Sequence, residues 1–211
     1  MASEHHYYFQ KSSRYFVHGD LSDGKHLLIA LHGYGYLPEF FIRKFHGVDT
    51  EKYVVVCPEG MHRFYQSGTN GRVGASWMTK EDRLTDIDDY VQFLDSVYDK
   101  VVAGKPDARV HLVGFSQGTA TACRWASMGN SRIDELTLWA GAFPDDIDYF
   151  EKADLFKKLN VKLVIGDEDQ YYNQQQIDAH VAQLRSKGIE FELIMFNGDH
   201  NIHDKPLLDL I

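Results

Sequence analysis

The chain is poor in cysteine and has no long apolar run. Its only two cysteines, Cys57 and Cys123, lie inside apolar stretches without the paired spacing of a zinc site. This argues against a disulfide framework and favours a reducing, cytoplasmic compartment. Nowhere do about 18 apolar residues run together, and the first residues carry no apolar stretch behind a basic start. Neither a membrane span nor secretion is therefore expected.

Positive charge is also scarce. Lys and Arg together number 22 against 31 Asp and Glu, which gives a formal net charge of −9, and no basic block stands out. Nucleic acid and anionic membrane surfaces are therefore poor candidate partners. The sequence has no internal repeat and no low-complexity linker, so residues 1–211 are expected to form a single domain.

What the chain does have is an alternation of short apolar runs with longer amphipathic stretches. This pattern predicts an α/β fold in which helices cover both faces of a mostly parallel sheet. The predicted parallel strands are 26–31, 53–57, 109–113, 136–140, 161–165 and 190–196. Ahead of them, residues 6–10 and 14–18 are expected to form an antiparallel edge hairpin.

Helices and one long loop complete the prediction. The predicted helices are 84–102, 117–128, 152–159, 174–187 and a last one starting near residue 204. Residues 59–80 are rich in glycine and have no sustained period, so we expect a long loop that forms a wall of a site.

The sharpest motif is Gly114-Phe115-Ser116-Gln117-Gly118, because it lies between a predicted strand and a predicted helix. A tight strand-to-helix turn would expose the Ser116 hydroxyl above the sheet edge, and glycines let the two elements approach each other. The helix N-terminus would also favour negative charge near Ser116. The pattern predicts a nucleophilic serine.

A serine nucleophile needs a base, and the base needs an orienting carboxylate. Asp169 follows the strand 161–165 and His200 follows the strand 190–196. Catalytic groups in open parallel sheets collect at the carboxyl ends of strands, so both side chains should meet Ser116 there. The order serine, aspartate, histidine is that of the α/β hydrolases.

Spacing alone leaves two alternatives open. Asp167 and Glu168 precede the favoured Asp169, and His203 competes with the favoured His200. The two histidines could also be read as metal ligands, but no glutamate lies between them and no clear third ligand is present. No metal site is therefore predicted.

An oxyanion requires two backbone donors. The N–H of Gln117 directly follows the nucleophile, and the glycine-rich turn 31–36 after the first parallel strand supplies Tyr34 as the second candidate. Aromatic residues cluster in the loops expected around Ser116, which favours an apolar acyl or aryl group as occupant. The candidate substrate-binding residues are Tyr36, Phe40, Trp77, Phe143 and Tyr171.

At this point the chain resembles the small carboxylesterase/phospholipase group of the α/β-hydrolase superfamily, which includes acyl-protein thioesterases and compact bacterial esterases. The resemblance covers about residues 25–205, and VGFSQG is its most specific element. The matching segments are LHGYG at 31–35, CPEG at 57–60, ASW at 75–77, VGFSQG at 113–118, GDEDQ at 166–170 and GDHNI at 198–202. The chain departs from the family pattern at residues 170–172, so the family's acyl preferences are not carried over.

The resemblance implies Ser116 as nucleophile, Asp169 as acid, His200 as base, and main-chain donors at Tyr34 and Gln117. It also implies ester hydrolysis without a cofactor. Some members are dimers, so it admits a homodimer, although the sequence does not set the oligomeric state.

The sequence therefore predicts a serine carboxylesterase acting on a small-molecule ester through an acyl-enzyme intermediate. A thioesterase, an acyl-peptide hydrolase or a lactone hydrolase would use the same triad. A protein that keeps the fold only as a ligand-binding pocket is the alternative from a different class.

Overall fold

A central seven-stranded sheet organises the protein. The structure, a computed structural model, describes residues 1–22 and 26–211. The strands in this part of the chain are β1 (Tyr15–His18), β2 (His26–Leu31), β3 (Tyr53–Pro58), β4 (His62–Ser67), β5 (Asn70–Ser76), β6 (Val110–Phe115), β7 (Glu135–Trp139), β8 (Lys162–Gly166) and β9 (Glu192–Phe196). The sheet order is β1-β3-β2-β6-β7-β8-β9, and only the β1–β3 pair is antiparallel. The predicted, mostly parallel α/β sheet is confirmed.

Helices pack on both faces of this sheet. They are α1 (Pro38–Phe41), continued by a 3₁₀ turn (Ile42–Phe45), α2 (Arg83–Val102), α3 (Gln117–Met128), α4 (Ala153–Lys158), α5 (Gln174–Ser186) and α6 (Asp204–Leu208). Alternate residues of β2 divide between two apolar cores. Leu27 and Ile29 join the core beneath α2, α3, α4 and α5, whereas Leu28 and Ala30 join the core beneath α1 and α6. Burial on both faces explains why the strands are apolar without interruption.

The N-terminal edge differs from the prediction. Residues 14–18 were expected as one arm of a hairpin, and β1 confirms that arm, but residues 6–10 form no strand. Tyr7, Tyr8 and Phe9 are each at least 75% exposed. Because these aromatic residues are adjacent rather than alternating, no single face of a strand would bury them against the sheet. The antiparallel edge is therefore β1 alone.

Residues 59–80 also differ from the prediction, because most of them form a hairpin rather than a loop. Strands β4 and β5 pair antiparallel, with Ser67 opposite Asn70. Gly68 adopts a positive φ of +58°, which suits the two-residue turn between them. Most residues of β4 and the first half of β5 are exposed. A strand without a buried face leaves no hydrophobic alternation to read in the sequence.

The parallel strands all end at one edge of the sheet, and this edge carries the site described below. Among the described residues, no helix combines the length and the apolar character that a membrane crossing requires.

Candidate active site

Ser116 occupies a constrained turn between β6 and α3. Its backbone has φ +53° and ψ −116°, a conformation that non-glycine residues rarely adopt. The flanking glycines leave no room for a side chain, since a Cβ on Gly114 would overlap the Gly118 carbonyl and one on Gly118 would overlap the Leu31 carbonyl. Because strand and helix lie in direct backbone contact, Ser116 is held at the carboxyl end of the sheet.

The structure brings Ser116, His200 and Asp169 into one hydrogen-bonded series. His200 Nδ1 lies 2.7 Å from Asp169 Oδ2, and His200 Nε2 lies 3.1 Å from Ser116 Oγ. An ionised carboxylate only accepts hydrogen bonds, so Nδ1 carries the proton and Nε2 is free to accept the serine hydroxyl. Side chains arranged in this way can act as a nucleophile, a base and an orienting acid.

Local contacts hold the acid and the base in place. The Asp169 side chain is fully buried, and the backbone N–H of Tyr171 donates to its Oδ1 at 2.8 Å. The His200 ring packs against Phe115 at 5.2 Å and edge-on against Tyr171 at 4.5 Å, measured between ring centroids. These contacts restrict the imidazole to the orientation that the two hydrogen bonds require.

The alternatives that spacing left open have other partners. Asp167 is exposed and accepts the backbone N–H of Gly198 at 3.0 Å, and Glu168 is also exposed. His203 lies on the surface, where its Nε2 is 2.8 Å from Asp199. Asp169 is thus the member of its segment that bonds to His200, and His200 is the histidine that reaches Ser116.

The glycine-rich turn after β2 lies against the serine. A Cβ on Gly33 would come within 3.1 Å of the Ser116 Cβ. Gly35 and Tyr36 use their N–H groups in bonds to Ala75 and Gly33, whereas no described acceptor engages the N–H of Tyr34 or of Gln117. These two donors, both on residues that line the cavity of Ser116, are the ones expected to face an oxyanion.

His32 anchors this turn from beneath. Its Nδ1 lies 2.8 Å from the Gly33 carbonyl oxygen, and its Nε2 accepts the Gly60 N–H at 2.9 Å. Burial lowers the pKa of His32 to about 4, so the imidazole is neutral at neutral pH. The indole N–H of Trp77 donates to the His32 carbonyl at 2.8 Å and fixes the turn from the other side.

Ser116 opens into a cavity of about 680 Å³. Three of the predicted substrate-binding residues, Tyr36, Phe143 and Tyr171, line it together with Ser116 and His200. The cavity combines aromatic walls with a few polar groups, as small-molecule sites generally do.

Two predicted substrate-binding residues lie elsewhere. Trp77 is fully buried in the core, where its indole supports the turn at His32. Phe40 lines a neighbouring cavity of about 530 Å³, which shares Tyr34 and Tyr36 with the first cavity and includes Arg72 of the β4–β5 hairpin. The presence of an aromatic residue in these loops could not show whether its side chain lines the cavity of Ser116 or packs elsewhere.

The sequence analysis named only the backbone N–H of Gln117 and did not anticipate its side-chain contacts, and it missed Arg124 altogether. The side-chain amide of Gln117 donates to Ser76 Oγ and to the Met78 carbonyl, each at 3.0 Å, and so ties α3 to the end of β5. Arg124, two turns along α3, lines the cavity and pairs with Asp146. The sequence could have indicated this position, because Arg124 lies eight residues after Ser116. Residues four apart on a helix share a face, so a residue two such steps along α3 faces the same side as the start of the helix.

A possible metal-ligand cluster occurs away from the site. Ligand atoms of Glu4, His6 and Asp82 lie within 4.8 Å of one another, and all three residues are exposed. Within the cluster, His6 Nε2 lies 2.9 Å from Glu4 and 3.6 Å from Asp82.

Comparison with known proteins now identifies the fold. A sequence model describing the α/β hydrolase fold matches residues 75–179, which include α2, the Ser116 turn and the Asp169 turn. The protein has the fold of the α/β hydrolases. No curated protein sequence matches this chain.

Solved structures extend the similarity over nearly the whole chain. Esterase PE8 matches with a TM-score of 0.66 and 22% identity, covering 95% of this chain and 96% of its own. Acyl-protein thioesterase 2 of Zea mays matches with a TM-score of 0.70 and 16% identity, covering 94% of this chain and 96% of its own. SOBER1 of Arabidopsis thaliana matches with a TM-score of 0.64 and 17% identity, covering 88% of this chain and 95% of its own. At such identities the likeness is one of fold, and at that level the resemblance to small α/β hydrolases is confirmed.

Proposed function

We propose that the protein is a serine hydrolase that cleaves carboxylic esters of small or medium apolar acyl or aryl groups. The observation that carries this proposal is the series Asp169–His200–Ser116, with hydrogen-bond distances of 2.7 and 3.1 Å in one open cavity. The similarity to proteins named as an esterase and a thioesterase supports a hydrolase.

In the first half of the reaction, Ser116 Oγ attacks the ester carbonyl carbon. His200 Nε2 takes the hydroxyl proton, and Asp169 stabilises the imidazolium through its bond to Nδ1–H. The carbonyl oxygen becomes an oxyanion, which the N–H groups of Tyr34 and Gln117 stabilise. When the tetrahedral adduct collapses, its bond to the alcohol oxygen breaks and His200 returns the proton to that oxygen.

The second half regenerates the serine. Water attacks the acyl-enzyme carbonyl while His200 Nε2 accepts one of its protons. Collapse of the second adduct breaks the bond to Ser116 Oγ, which recovers its proton from His200, and the carboxylic acid leaves. All proton transfers pass through one imidazole nitrogen.

A thioester is the second candidate substrate. The similarity to the maize acyl-protein thioesterase favours it, and the same triad serves a thiolate leaving group. The two substrates are distinguished by comparing kcat/KM for p-nitrophenyl butyrate and butyryl-thiocholine.

The proposal is tested with Ser116→Ala. We expect hydrolysis of p-nitrophenyl butyrate to fall by at least about 10³-fold, because the variant keeps the fold but has no nucleophile. Ser127→Ala is the matched control, since Ser127 lies on the same helix and its hydroxyl donates to the Arg124 carbonyl. A fluorophosphonate probe should label Ser116, located by peptide mass mapping.

Two results would contradict the proposal. Ester hydrolysis that survives in folded Ser116→Ala would exclude this serine as the nucleophile. Tight binding of butyrate by a wild-type protein with no turnover of any ester or thioester would instead favour a ligand-binding role.

A further inference from the structure

A positive charge lies inside the cavity that contains Ser116. Arg124 lines this cavity, and its side chain is only 8% exposed. Among the described residues that line the cavity, it is the one with a permanent charge, and no carboxylate accompanies it there. A purely apolar acyl group would leave this guanidinium without a role in the site.

Arg124 has donor capacity that its partners do not use. Its Nε and Nη2 groups donate to Asp146 at 3.1 to 3.2 Å. Its Nη1 faces Tyr90 Oη at 3.4 Å and Met78 Sδ at 3.3 Å, a long contact and a weak acceptor. A guanidinium offers five N–H groups, so one Nη2 hydrogen has no acceptor among the described residues.

The carboxylate that pairs with Arg124 also serves a second arginine. Asp146 is shared, because Arg83 donates to it at 2.7 Å from outside the cavity. Two arginines therefore face one carboxylate. The neighbouring Asp145 is paired with Lys187 at 3.6 Å and does not line the cavity. An anion that reaches Arg124 therefore meets a guanidinium whose carboxylate partner is divided between two arginines.

The helix sets the distance between this charge and the reacting bond. Arg124 follows Gln117 by seven residues on α3, which is about 10 Å along the axis at 1.5 Å per residue. Helical side chains lean toward the N-terminus, so the guanidinium approaches the Ser116 end of the helix. A substrate spans the remaining gap with a short linker of a few bonds.

We infer that the ester substrate carries a carboxylate a few bonds from its scissile carbonyl, and that Arg124 binds this carboxylate. The inference rests on the proposed ester hydrolysis and specifies its substrate class, an apolar linker with an anionic end. Arg124 acts as a specificity-determining residue, so its effect belongs in KM more than in kcat. The carboxylate source is either the acyl group or the alcohol group.

Two matched pairs of esters distinguish these sources. The acyl pair is p-nitrophenyl hydrogen adipate and its neutral counterpart p-nitrophenyl methyl adipate. The alcohol pair is 4-butyryloxybenzoate and methyl 4-butyryloxybenzoate. In the wild type we expect kcat/KM to favour the anionic member of one pair by about 10-fold or more, the effect of a charge-assisted hydrogen bond.

Arginine variants separate binding from structural support. In Arg124→Met the ratio of kcat/KM for the anionic ester to kcat/KM for its neutral counterpart should fall to about one, mainly through a raised KM for the anionic ester. Arg83→Met is the matched control, because it removes an equal charge and the other partner of Asp146 from outside the cavity. The quantity compared is the ratio of kcat/KM for the anionic ester to kcat/KM for the neutral ester. Because the same ratio is taken for each variant and for the wild type, differences in the intrinsic reactivity of the esters cancel.

Each outcome decides between the two claims. A wild type that hydrolyses the neutral esters without preferring either anionic ester overturns the inference and leaves the proposed function intact. A preference that persists in Arg124→Met, or is lost equally in Arg83→Met, also overturns it. Failure to hydrolyse any of the four esters contradicts the proposed function and the inference together. Should Arg124→Met not fold, Arg124→Gln replaces it, since its amide can still donate to Asp146.

Discussion

The carboxyl end of the sheet and the tip of the β4–β5 hairpin are packed in opposite ways. The sheet-end region, which comprises residues 114–118, 166–170 and 196–200, is tightly packed around its glycines. A Cβ on Gly166 would overlap the Gly198 carbonyl, just as one on Gly118 would overlap the Leu31 carbonyl. At the tip of the β4–β5 hairpin, by contrast, a Cβ on Gly68 would meet nothing within 4 Å.

The difference separates two kinds of contribution to a site. Atoms that must stay within hydrogen-bond distance of each other need backbones that cannot shift, and the sheet-end region provides them. The hairpin adds contacts from outside, through the Tyr36–Ala75 bridge and the stacked rings of Tyr34 and Phe64. Substitutions in the two regions should therefore differ in size, and each prediction below tests that contrast.

The largest effect is expected for Asp169→Asn in the sheet-end region. An amide N–H group facing His200 Nδ1 would favour the tautomer with its proton on Nε2, which then cannot accept the Ser116 proton. We expect kcat for p-nitrophenyl butyrate to fall about 10⁴-fold with little change in Tm. Asp167→Asn, two residues earlier and exposed, is the control. Equal losses in both variants would show that the acid is wrongly assigned.

The second prediction compares glycines. In Gly118→Ala the new Cβ meets the Leu31 and His32 backbone, so the Ser116 turn must shift. We expect the free energy of unfolding to fall by about 3 kcal/mol, the cost of overpacking a rigid site, with activity lost as well. Urea unfolding followed by circular dichroism measures the change.

Gly68→Ala is the matched substitution in the hairpin. Its Cβ would meet open space, so the only cost is the positive φ of +58°, about 1 kcal/mol. Similar losses of stability in Gly118→Ala and Gly68→Ala would contradict the contrast between the two regions.

The same contrast explains how much the sequence could predict. The strands, the longer helices and the Ser116 turn depend on local rules, namely apolar periodicity and glycine at a close approach, so these were predicted within a few residues. Asp169 and His200 followed because parallel strands end at one edge. The β4–β5 hairpin is mostly exposed, so its residues carry no apolar period and it was predicted as a loop.

Other residues depend on packing between distant segments, which a sequence does not display. Trp77 is directed into the core by its indole bond to His32, 45 residues away. Phe40 belongs to a short helix that no periodicity indicated, and it lines the neighbouring cavity. Arg124 is placed in the site by an ion pair with Asp146, 22 residues later. Each depends on a tertiary partner.

The third prediction concerns pH and uses His32, beneath the sheet-end region. Burial lowers the pKa of His32 from 6.5 to about 4, so between these values the unfolded chain binds more protons than the folded protein. Stability is therefore fully present above pH 6.5 and is lost as the pH falls to about 4, by about 3 kcal/mol for this group.

The measurement compares pH profiles of urea unfolding. His32→Asn should reduce the slope of the profile between pH 6.5 and 4, because one titrating group is gone, while the buried His111, whose pKa is also lowered to about 4, still contributes. His62→Asn, which replaces an exposed histidine at the start of the hairpin, is the matched control for the substitution. An unchanged slope in His32→Asn would mean that this histidine does not contribute to the acid sensitivity of the fold.

The smallest effect is expected for Phe64→Ala on the hairpin. The Phe64 ring stacks on Tyr34 with centroids 4.9 Å apart, and Tyr34 carries one of the two proposed oxyanion donors. A stacked aromatic pair contributes about 1 kcal/mol, so we expect kcat/KM for p-nitrophenyl butyrate to fall about 5-fold. Steady-state kinetics on the purified variant measure the change.

Tyr65→Ala is the matched control, because successive residues of a strand point to opposite faces and the Tyr65 side chain is 52% exposed. A loss in Phe64→Ala that approaches that of Asp169→Asn would mean that the hairpin holds the oxyanion donor as firmly as the sheet-end region holds the triad. A loss no larger than in Tyr65→Ala would mean that the turn after β2 keeps its geometry through His32 and Trp77 alone, and that the hairpin affects only the neighbouring cavity.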